Sequence, residues 1–375
     1  MASQELPKTH RALVLTTTSE LPEVKVIPTP QPGPGSVVVR MLACNVVSYI
    51  REVYDHVRPD SRKYPFPTPL VIGTSGLGRI ASIGPDTTAF TSGQLVFVDS
   101  FIRARDDPTS AILLGIHEGH TVGSKILMQG EWRDATYADY AKIPLENCYA
   151  LNEERLFGEL GYGAEHLSDL SRCCVPYGGL SDIGVKSGET IIVAPATGPF
   201  GGAAVEVALA MGARVIAMGR NVDVLKKIQA AHPGRVEIVQ MKGEMQEDLD
   251  ALKALGTIDA YFDISPPAAG GSSHLKSCIL ALRHGGRVSF MGGIRGDVAI
   301  PHSAVMHRDL SIRGKWMYDR QQVVDLIKMI ETGMLKLDKG DGHRSVRTFK
   351  LEEWNEAFDV AAENAGMGVK AVIIP

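Results

Sequence analysis

The chain has 375 residues, 44% of them hydrophobic and 22% charged, with a net charge of −4. That is an ordinary globular composition, longer than one hydrophobic core usually supports, so two domains are expected. The mildly acidic balance gives no electrostatic attraction to nucleic acid or an anionic membrane, no apolar run approaches the roughly 20 residues that span a bilayer, and the N-terminus MASQELPKTHRALVL lacks the apolar core of a signal peptide. A cytoplasmic protein acting on a small molecule is the expectation.

From residue 1 to about 150 the chain is rich in short β-branched runs broken by proline and glycine: RALVL, SVVVRML, PLVIGTSGLGRIASIG, GQLVFV and YADYAKIP. Short strands separated by turn signals predict a β-rich, partly barrel-like domain. TPQPGPG at 29–35 reads as a rigid surface turn rather than a linker. The five cysteines (Cys44, Cys148, Cys173, Cys174, Cys278) are odd in number and scattered, with no CxxC pair. They indicate neither a disulfide framework nor a structural zinc site.

From about 190 the pattern changes. Apolar runs IIVAP, RVIAMG, VEIVQ, IDAYFDI and RVSFMGG alternate with helical stretches at 203–211, 222–231, 246–255 and 272–283. Such alternation predicts a parallel sheet covered on both faces, the α/β doubly wound arrangement. After about 310 come the strand candidates SIRGKWMY and AVIIP around a helix at 320–333, with the last strand rejoining the first domain.

The most specific segment is TIIVAPATGPFGGAAVEVALAMGARVIAMGRN at 190–221. An apolar strand runs into Ala196-Thr197-Gly198-Pro199-Phe200-Gly201, then a small-residue helix, then a second strand. Small residues let the backbone turn sharply and approach a pyrophosphate, and the helix that follows offers free N–H groups and a positive dipole end. A carboxylate is expected at the end of the second strand to bind the ribose hydroxyls of NAD. This chain has Gly219 there, followed by Arg220 and Asn221. Without the carboxylate a 2′-phosphate is not repelled, and a guanidinium can bind it through paired hydrogen bonds, so NADPH is the expected cofactor. Lys226 and Lys227 could reinforce such a site, although solvated surface is the plainer role for them.

End to end, the chain resembles the medium-chain dehydrogenase/reductase superfamily, which contains zinc alcohol dehydrogenases and quinone oxidoreductases. Four segments carry the resemblance: VIGTSGLGRIASIGPDTTAFTSGQLVFV (71–98), VKSGETIIVAPATGPFGG (185–202), IDAYFDIS with HGGRVSFMGG (258–293), and LSIRGKWMYDR (310–320). It implies a GroES-like β-barrel catalytic domain built from residues 1–162 and 310–375, and an inserted Rossmann NADP-binding domain at 163–309. The active site would lie in the cleft between them, and a homodimer or homotetramer is implied. Ser265, Gly292, Gly293 and Ile294 match strand ends that face the nicotinamide in relatives, and Trp316 and Met317 match a segment whose backbone meets the cofactor.

The departures from the family carry chemistry. Zinc-containing members have Gly-His-Glu where this chain has Gly73-Thr74-Ser75-Gly76, and the earlier cysteine ligand aligns with Asn45, Cys44 being one residue out of register. Hydroxyls are poor zinc donors. Phe101–Arg133, where relatives carry four structural cysteines, has none, and HEGH at 117–120 lacks the i, i+4 histidine spacing of a helical zinc motif. No metal is therefore expected.

Without a metal, hydride transfer suits an acceptor that is already activated, such as an α,β-unsaturated carbonyl or a quinone, as in the zinc-independent quinone oxidoreductase and enoyl reductase branches. A zinc-free alcohol dehydrogenase or carbonyl reductase is the alternative and needs a protein acid; a non-catalytic NADPH-binding protein is the third reading. Asn45, Ser48, Tyr49 and Thr74 are the catalytic candidates, with Ser75 in the same segment. Tyr54, Tyr64, Trp132 and Tyr318 are weaker, better suited to apolar walls.

Overall fold

The computed structural model describes residues 5–337, 345–364, 366 and 368–375. These divide into two units, residues 1–171 with 337–375 and residues 172–336.

The first unit is built on β-branched runs, of which β3 and β6 are buried almost throughout. Its strands from the N-terminal segment are β1 (Thr9–Leu15), β2 (Glu23–Pro28), β3 (Ser36–Asn45), β4 (Leu70–Val71), β5 (Gly76–Ile83), β6 (Leu95–Val98), β7 (Phe101–Arg103), β8 (Ala111–Leu113), β9 (Tyr140–Pro144) and β10 (Cys148–Ala150). β3 is its axis: it pairs antiparallel with β5 and β9, and its register against β5 shifts between Val38 and Val39 and again between Met41 and Ala43. Such bulges bend a strand and tighten its twist, which lets a sheet curl towards a barrel. β1, β2 and β4 form a separate three-stranded sheet, and β7 and β8 a hairpin. Leu13, Val37, Val39, Ile72, Val96, Val98 and Ile143 fill the core.

The second unit contains β11 (Thr190–Ala194), β12 (Arg214–Gly219), β13 (Val236–Gln240), β14 (Ala260–Asp263), β15 (Arg287–Phe290) and β16 (Ser311–Gly314). All are parallel, in the order β13-β12-β11-β14-β15-β16. The chain winds outward from β11 to β13, then returns to β14 and winds the other way. The direction reverses between β11 and β14, and beyond the carboxyl ends of those two strands lies the ligand crevice of an open α/β sheet. The helices between strands are Pro199–Ala210, Val222–Ala231, Met245–Lys253 and His274–Ala281. The first begins earlier than its apolar pattern predicts because Pro199 is pre-set for the first helical position after the Gly198 cap. Helix Leu170–Asp182, with Pro176 inside it, is not signalled by periodicity.

Two expectations require correction. The second unit spans 172–336, not 163–309, and the segment from 310 does not return the chain to the first unit. Ser311–Gly314 instead adds to β15 as the sixth parallel strand, from Arg287↔Ser311 to Phe290↔Gly314. The strand expected over SIRGKWMY stops at Gly314, and Met317 turns the chain with φ +64. Helix Arg320–Glu331 also belongs to the second unit. The return comes later, through β17 (Ser345–Lys350) and β18 (Val369–Ile374), which pair in parallel. β18 also lies antiparallel to β3, placing Val372 opposite Asn45.

Candidate active site

In the second unit, β11 ends in the turn Pro195–Gly198 and the helix Pro199–Ala210 starts at once. The turn is held from both sides: Ala196 N–H donates to the Met218 carbonyl at 2.8 Å, and Gly202 N–H to Gly198 at 2.8 Å. Gly201 is obligatory by close approach, since a Cβ there would stand 2.0 Å from the Pro195 carbonyl oxygen. Gly198 faces open space, with nothing within 4 Å of a Cβ. Thr197, Gly198, Pro199 and Phe200 are half-buried at the mouth of the turn. The first N–H groups of the helix lack carbonyls a turn earlier, and Pro199 has none to satisfy. Open backbone, unpaired donors and a positive helix end make a cradle for a pyrophosphate.

Gly219 closes β12 beside this turn, where a Cβ would meet Thr197 Cγ2 at 2.8 Å. Arg220, Asn221, Lys226 and Lys227 are all exposed. Asn221 has a structural task that spacing did not reveal: its side-chain oxygen accepts from Val224 N–H at 3.1 Å and caps helix Val222–Ala231.

Beyond β14 and β15 the other predicted cofactor residues meet. Gly293 N–H donates to the Ser265 carbonyl at 2.8 Å. A Cβ on Gly292 would fall 2.5 Å from Asp263 Oδ2 and 2.6 Å from Ser265 N. Ile294 follows, half-buried. Behind them is a buried polar network. Ser265 Oγ donates to Asp263 Oδ1 at 2.5 Å and lies 2.9 Å from His274 Nε2, while His274 Nδ1 lies 2.6 Å from Ser272 Oγ. Because Ser265 spends its proton on Asp263, the arrangement is satisfied with the histidine hydrogen on Nε2 and Nδ1 accepting from Ser272. Asp263 lay within reach of sequence reasoning, as the last residue of β14 and two positions before Ser265. His274 did not, because only the fold brings it there. Arg172, also unforeseen, donates to the Pro199 carbonyl at 2.8 Å and pairs with Glu206 at 3.3 Å. In this unit Trp316 is partly exposed, and Met317 and Tyr318 pack so closely on Gly178 that a Cβ there would lie 2.5 Å from the Met317 carbonyl. Tyr318 is core.

In the first unit the segment Gly73–Gly76 is locked into the core. Gly73 has φ +150 and accommodates no Cβ, which would lie 2.5 Å from Thr136 N. Its N–H and carbonyl both bond the Tyr54 hydroxyl, at 3.1 and 3.2 Å. Thr74 Oγ1 donates to the Asn45 carbonyl at 2.5 Å, and Ser75 Oγ bonds Ser100 Oγ at 2.9 Å. Thr74, expected as a catalytic hydroxyl, is thus buried and committed to tying β5 to β3, and Tyr54 is structural. Cys44 sits beside them, its thiol donating to the Thr136 carbonyl at 3.1 Å, and burial pushes it up to about 12. Hydroxyls bonded to the fold and an un-ionised core thiol do not make a ligand set for zinc, and among the described residues no three His, Cys, Asp or Glu side chains converge on a metal-sized site.

Ser48 and Tyr49, by contrast, are half-buried at the end of the strand-to-helix turn before Ile50–Tyr54. Asn45 is buried, held by β18 and accepting from the Tyr137 hydroxyl at 2.8 Å through its carbonyl. Around Tyr49 gather Arg62, Tyr64 and Glu52, and beyond Tyr64 the ring of His117 at 5.0 Å. Burial, helped by the neighbouring His120, holds His117 down at about 4. Trp132 packs partly buried against the core, as an apolar wall.

Comparison with known proteins places both units. Residues 33–153 match the family model described as "Alcohol dehydrogenase GroES-like domain", and residues 199–332 the one described as "Zinc-binding dehydrogenase". The L-threonine 3-dehydrogenase of Anaeromyxobacter dehalogenans (strain 2CP-C) is 23% identical over 346 residues, covering 89% of this chain and 90% of that protein. A putative zinc-binding dehydrogenase from Sinorhizobium meliloti 1021, solved bound to NADP, superposes with a TM-score of 0.75 at 19% identity over 98% of this chain and 100% of its own. A short chain alcohol dehydrogenase from E. coli CFT073, solved with NADH, gives 0.77 at 15% identity over 98% and 100%. The two family models together span more than half of the chain, in the order and on the units that the strands define. With a GroES-like domain drawn from both chain ends and a Rossmann sheet inserted between them, the chain belongs to the medium-chain dehydrogenase/reductase superfamily of oxidoreductases.

Proposed function

We propose that this chain is an NADPH-dependent reductase that works without a metal and acts on an activated acceptor, an α,β-unsaturated carbonyl or a quinone. The observation that carries the reading is the locked Gly73–Gly76 segment, whose hydroxyls serve the fold and leave no donor set for zinc. No step is therefore routed through a metal. NADPH, when bound, supplies the hydride. The Gly198 turn and the helix Pro199–Ala210 bind the pyrophosphate through backbone N–H groups. Arg220, exposed at the end of β12 where Gly219 replaces a carboxylate, binds the 2′-phosphate. Ser265 and Gly292–Ile294, fixed by the Asp263–His274 network, orient the nicotinamide end. Ser48 and Tyr49 are the polar groups left to hydrogen-bond the acceptor oxygen.

A second reading, reduction of a ketone or aldehyde or its reverse, draws support from relatives named L-threonine 3-dehydrogenase and alcohol dehydrogenase. A spectrophotometric panel of NADPH and NADH against enones, quinones, aldehydes and ketones, with and without a chelator, separates the two. Consumption of NADPH with enones or quinones, unaffected by the chelator, is expected. Chelator-sensitive turnover sinks the metal-free reading, NADH preference the role of Arg220, and tight NADPH binding with no consumption the reductase itself.

A further inference from the structure

Arg62 is held more firmly than a surface arginine needs to be. Its guanidinium carbon lies 3.9 Å from the centroid of the Tyr49 ring. Nε donates to Glu52 Oε2 at 2.9 Å, Nη1 donates to the Tyr64 hydroxyl at 3.2 Å, and its backbone N–H donates to the Glu52 carbonyl at 2.8 Å. Glu52 belongs to helix Ile50–Tyr54, Tyr49 is the residue that caps its start, and Tyr64 lies in the loop that follows, so the guanidinium is fixed from three places at once.

Tyr49 stands apart from the tyrosines around it. Tyr54 bonds Gly73 and Gly115, Tyr137 bonds the Asn45 carbonyl, and Tyr64 accepts from Arg62. The Tyr49 hydroxyl has no hydrogen-bond partner among the described residues, although its ring is half-buried and covered by a cation. The ring is half-buried and the hydroxyl is uncommitted to the fold, which leaves it available as a donor.

We infer that Arg62 is a positioning residue for Tyr49 as proton donor: stacked on its face, the guanidinium fixes the phenol in one orientation and stabilises the phenolate left when the proton departs. The inference rests on the reductase reading above. After hydride has reached the β-carbon of an unsaturated carbonyl, the substrate is an enolate. The Tyr49 O–H bond breaks, its proton forms the new bond to the enolate, and the electron pair stays on the phenolate under Arg62 until water returns a proton. Overall, hydride and proton add across the double bond, and the nicotinamide is oxidised.

The groups that face Tyr49 are Arg62, Tyr64, Glu52 and Tyr54. Burial, with Tyr64 and Glu52, pushes the Tyr49 phenol up to about 12, and Arg62 alone among them pulls it down. The residue therefore stays protonated through any ordinary assay pH, as a donor must.

The test is a double-mutant cycle on the full-length protein with NADPH and its best acceptor. Tyr49→Phe is expected to lower kcat about 10²-fold, and Arg62→Met about tenfold, with KM and NADPH affinity little changed. Adding Arg62→Met to Tyr49→Phe is expected to cost nothing further, because Arg62 acts only through the phenol. Arg62→Lys, which keeps the charge but loses the flat stack, falls between. If Arg62→Met costs the same factor in both backgrounds, its role is structural and the inference is overturned. Wild-type kcat in Tyr49→Phe overturns it as well. A measurement independent of turnover keeps the failure of the reductase reading separate. With 3,5-difluorotyrosine installed at position 49, the absorbance midpoint of its more acidic phenol is expected to rise by about one pH unit, a tenfold change in its ionisation constant, on Arg62→Met. An unmoved midpoint refutes the stacking role whether or not a substrate is found.

Discussion

At the scale of single residues, the proposed preference for NADPH is tested at the end of β12. Arg220→Ala is expected to weaken NADPH about tenfold in a fluorescence titration and to leave NADH nearly unchanged, since only the 2′-phosphate loses a charge-assisted partner. Gly219→Asp by itself is poorly accommodated, because Thr197 Cγ2 occupies the space where its Cβ goes. Combined with Thr197→Ser to open that space, it is expected to reverse the preference towards NADH, read as the ratio of kcat/KM for the two cofactors. His117 is a second residue whose environment has a measurable consequence. Burial and His120 hold it at about 4, below the ordinary histidine value of 6.5. The unfolded chain therefore takes up this proton first, so stability is highest above about 6.5 and falls as the pH drops towards 4. His117→Asn, which keeps an acceptor for Gly119 N–H, is expected to flatten the decline of Tm between pH 7 and 4.5.

At the scale of elements, the two glycines of the phosphate turn do different things. Gly201→Ala drives a Cβ into the Pro195 carbonyl oxygen, and backbone must move because neither atom belongs to a flexible side chain. A loss of about 1–3 kcal/mol is expected in denaturant unfolding, together with NADPH binding. Gly198→Ala meets nothing in the fold and keeps an ordinary φ of −87. Its stability should match wild type while NADPH affinity falls, because the added methyl fills the approach to the pyrophosphate. Equal stability losses in the two variants would show that both glycines serve packing alone. The strand-to-helix turn at 45–50 is the counterpart in the first unit. β18 holds the Asn45 backbone from one side and Thr74 from the other, which leaves Ser48 and Tyr49 at the free end.

Across the whole molecule, the units differ in how the chain builds them. The second unit is one continuous stretch, 172–336, whereas the first needs both termini. β18 completes the first unit by pairing with β3 and β17 at once. Truncation after residue 368 removes that strand. It is expected to abolish turnover and expose the first unit to proteolysis, while the parallel sheet still binds NADPH. Loss of NADPH binding along with turnover would mean that the second unit does not stand alone.

Much of this was legible in the sequence, and for physical reasons. A period of two in strands and 3.6 in helices is written directly into apolar spacing, so the strands of the parallel sheet and the helices between them could be read to within a few residues. The glycine turn after β11 was legible as a turn, and the structure shows one strict requirement in it, at Gly201, where a Cβ would stand 2.0 Å from the Pro195 carbonyl oxygen. The absence of histidine and glutamate at 74–75 could be read without coordinates. What the sequence could not settle was partnership across distance. The segment from 311 has the composition of a strand in either unit, and only its hydrogen bonds to β15 assign it to the second. Thr74 reads as a catalytic hydroxyl until the Asn45 carbonyl is found 2.5 Å away. His274 has no signal at all until it meets Ser265, and Arg62 looks like a solvated charge until it is found over Tyr49. Local spacing determines which elements form, because backbone geometry is local. Which side chains are spent on the fold and which are left for chemistry depends on neighbours distant in sequence, and only the tertiary structure decides that.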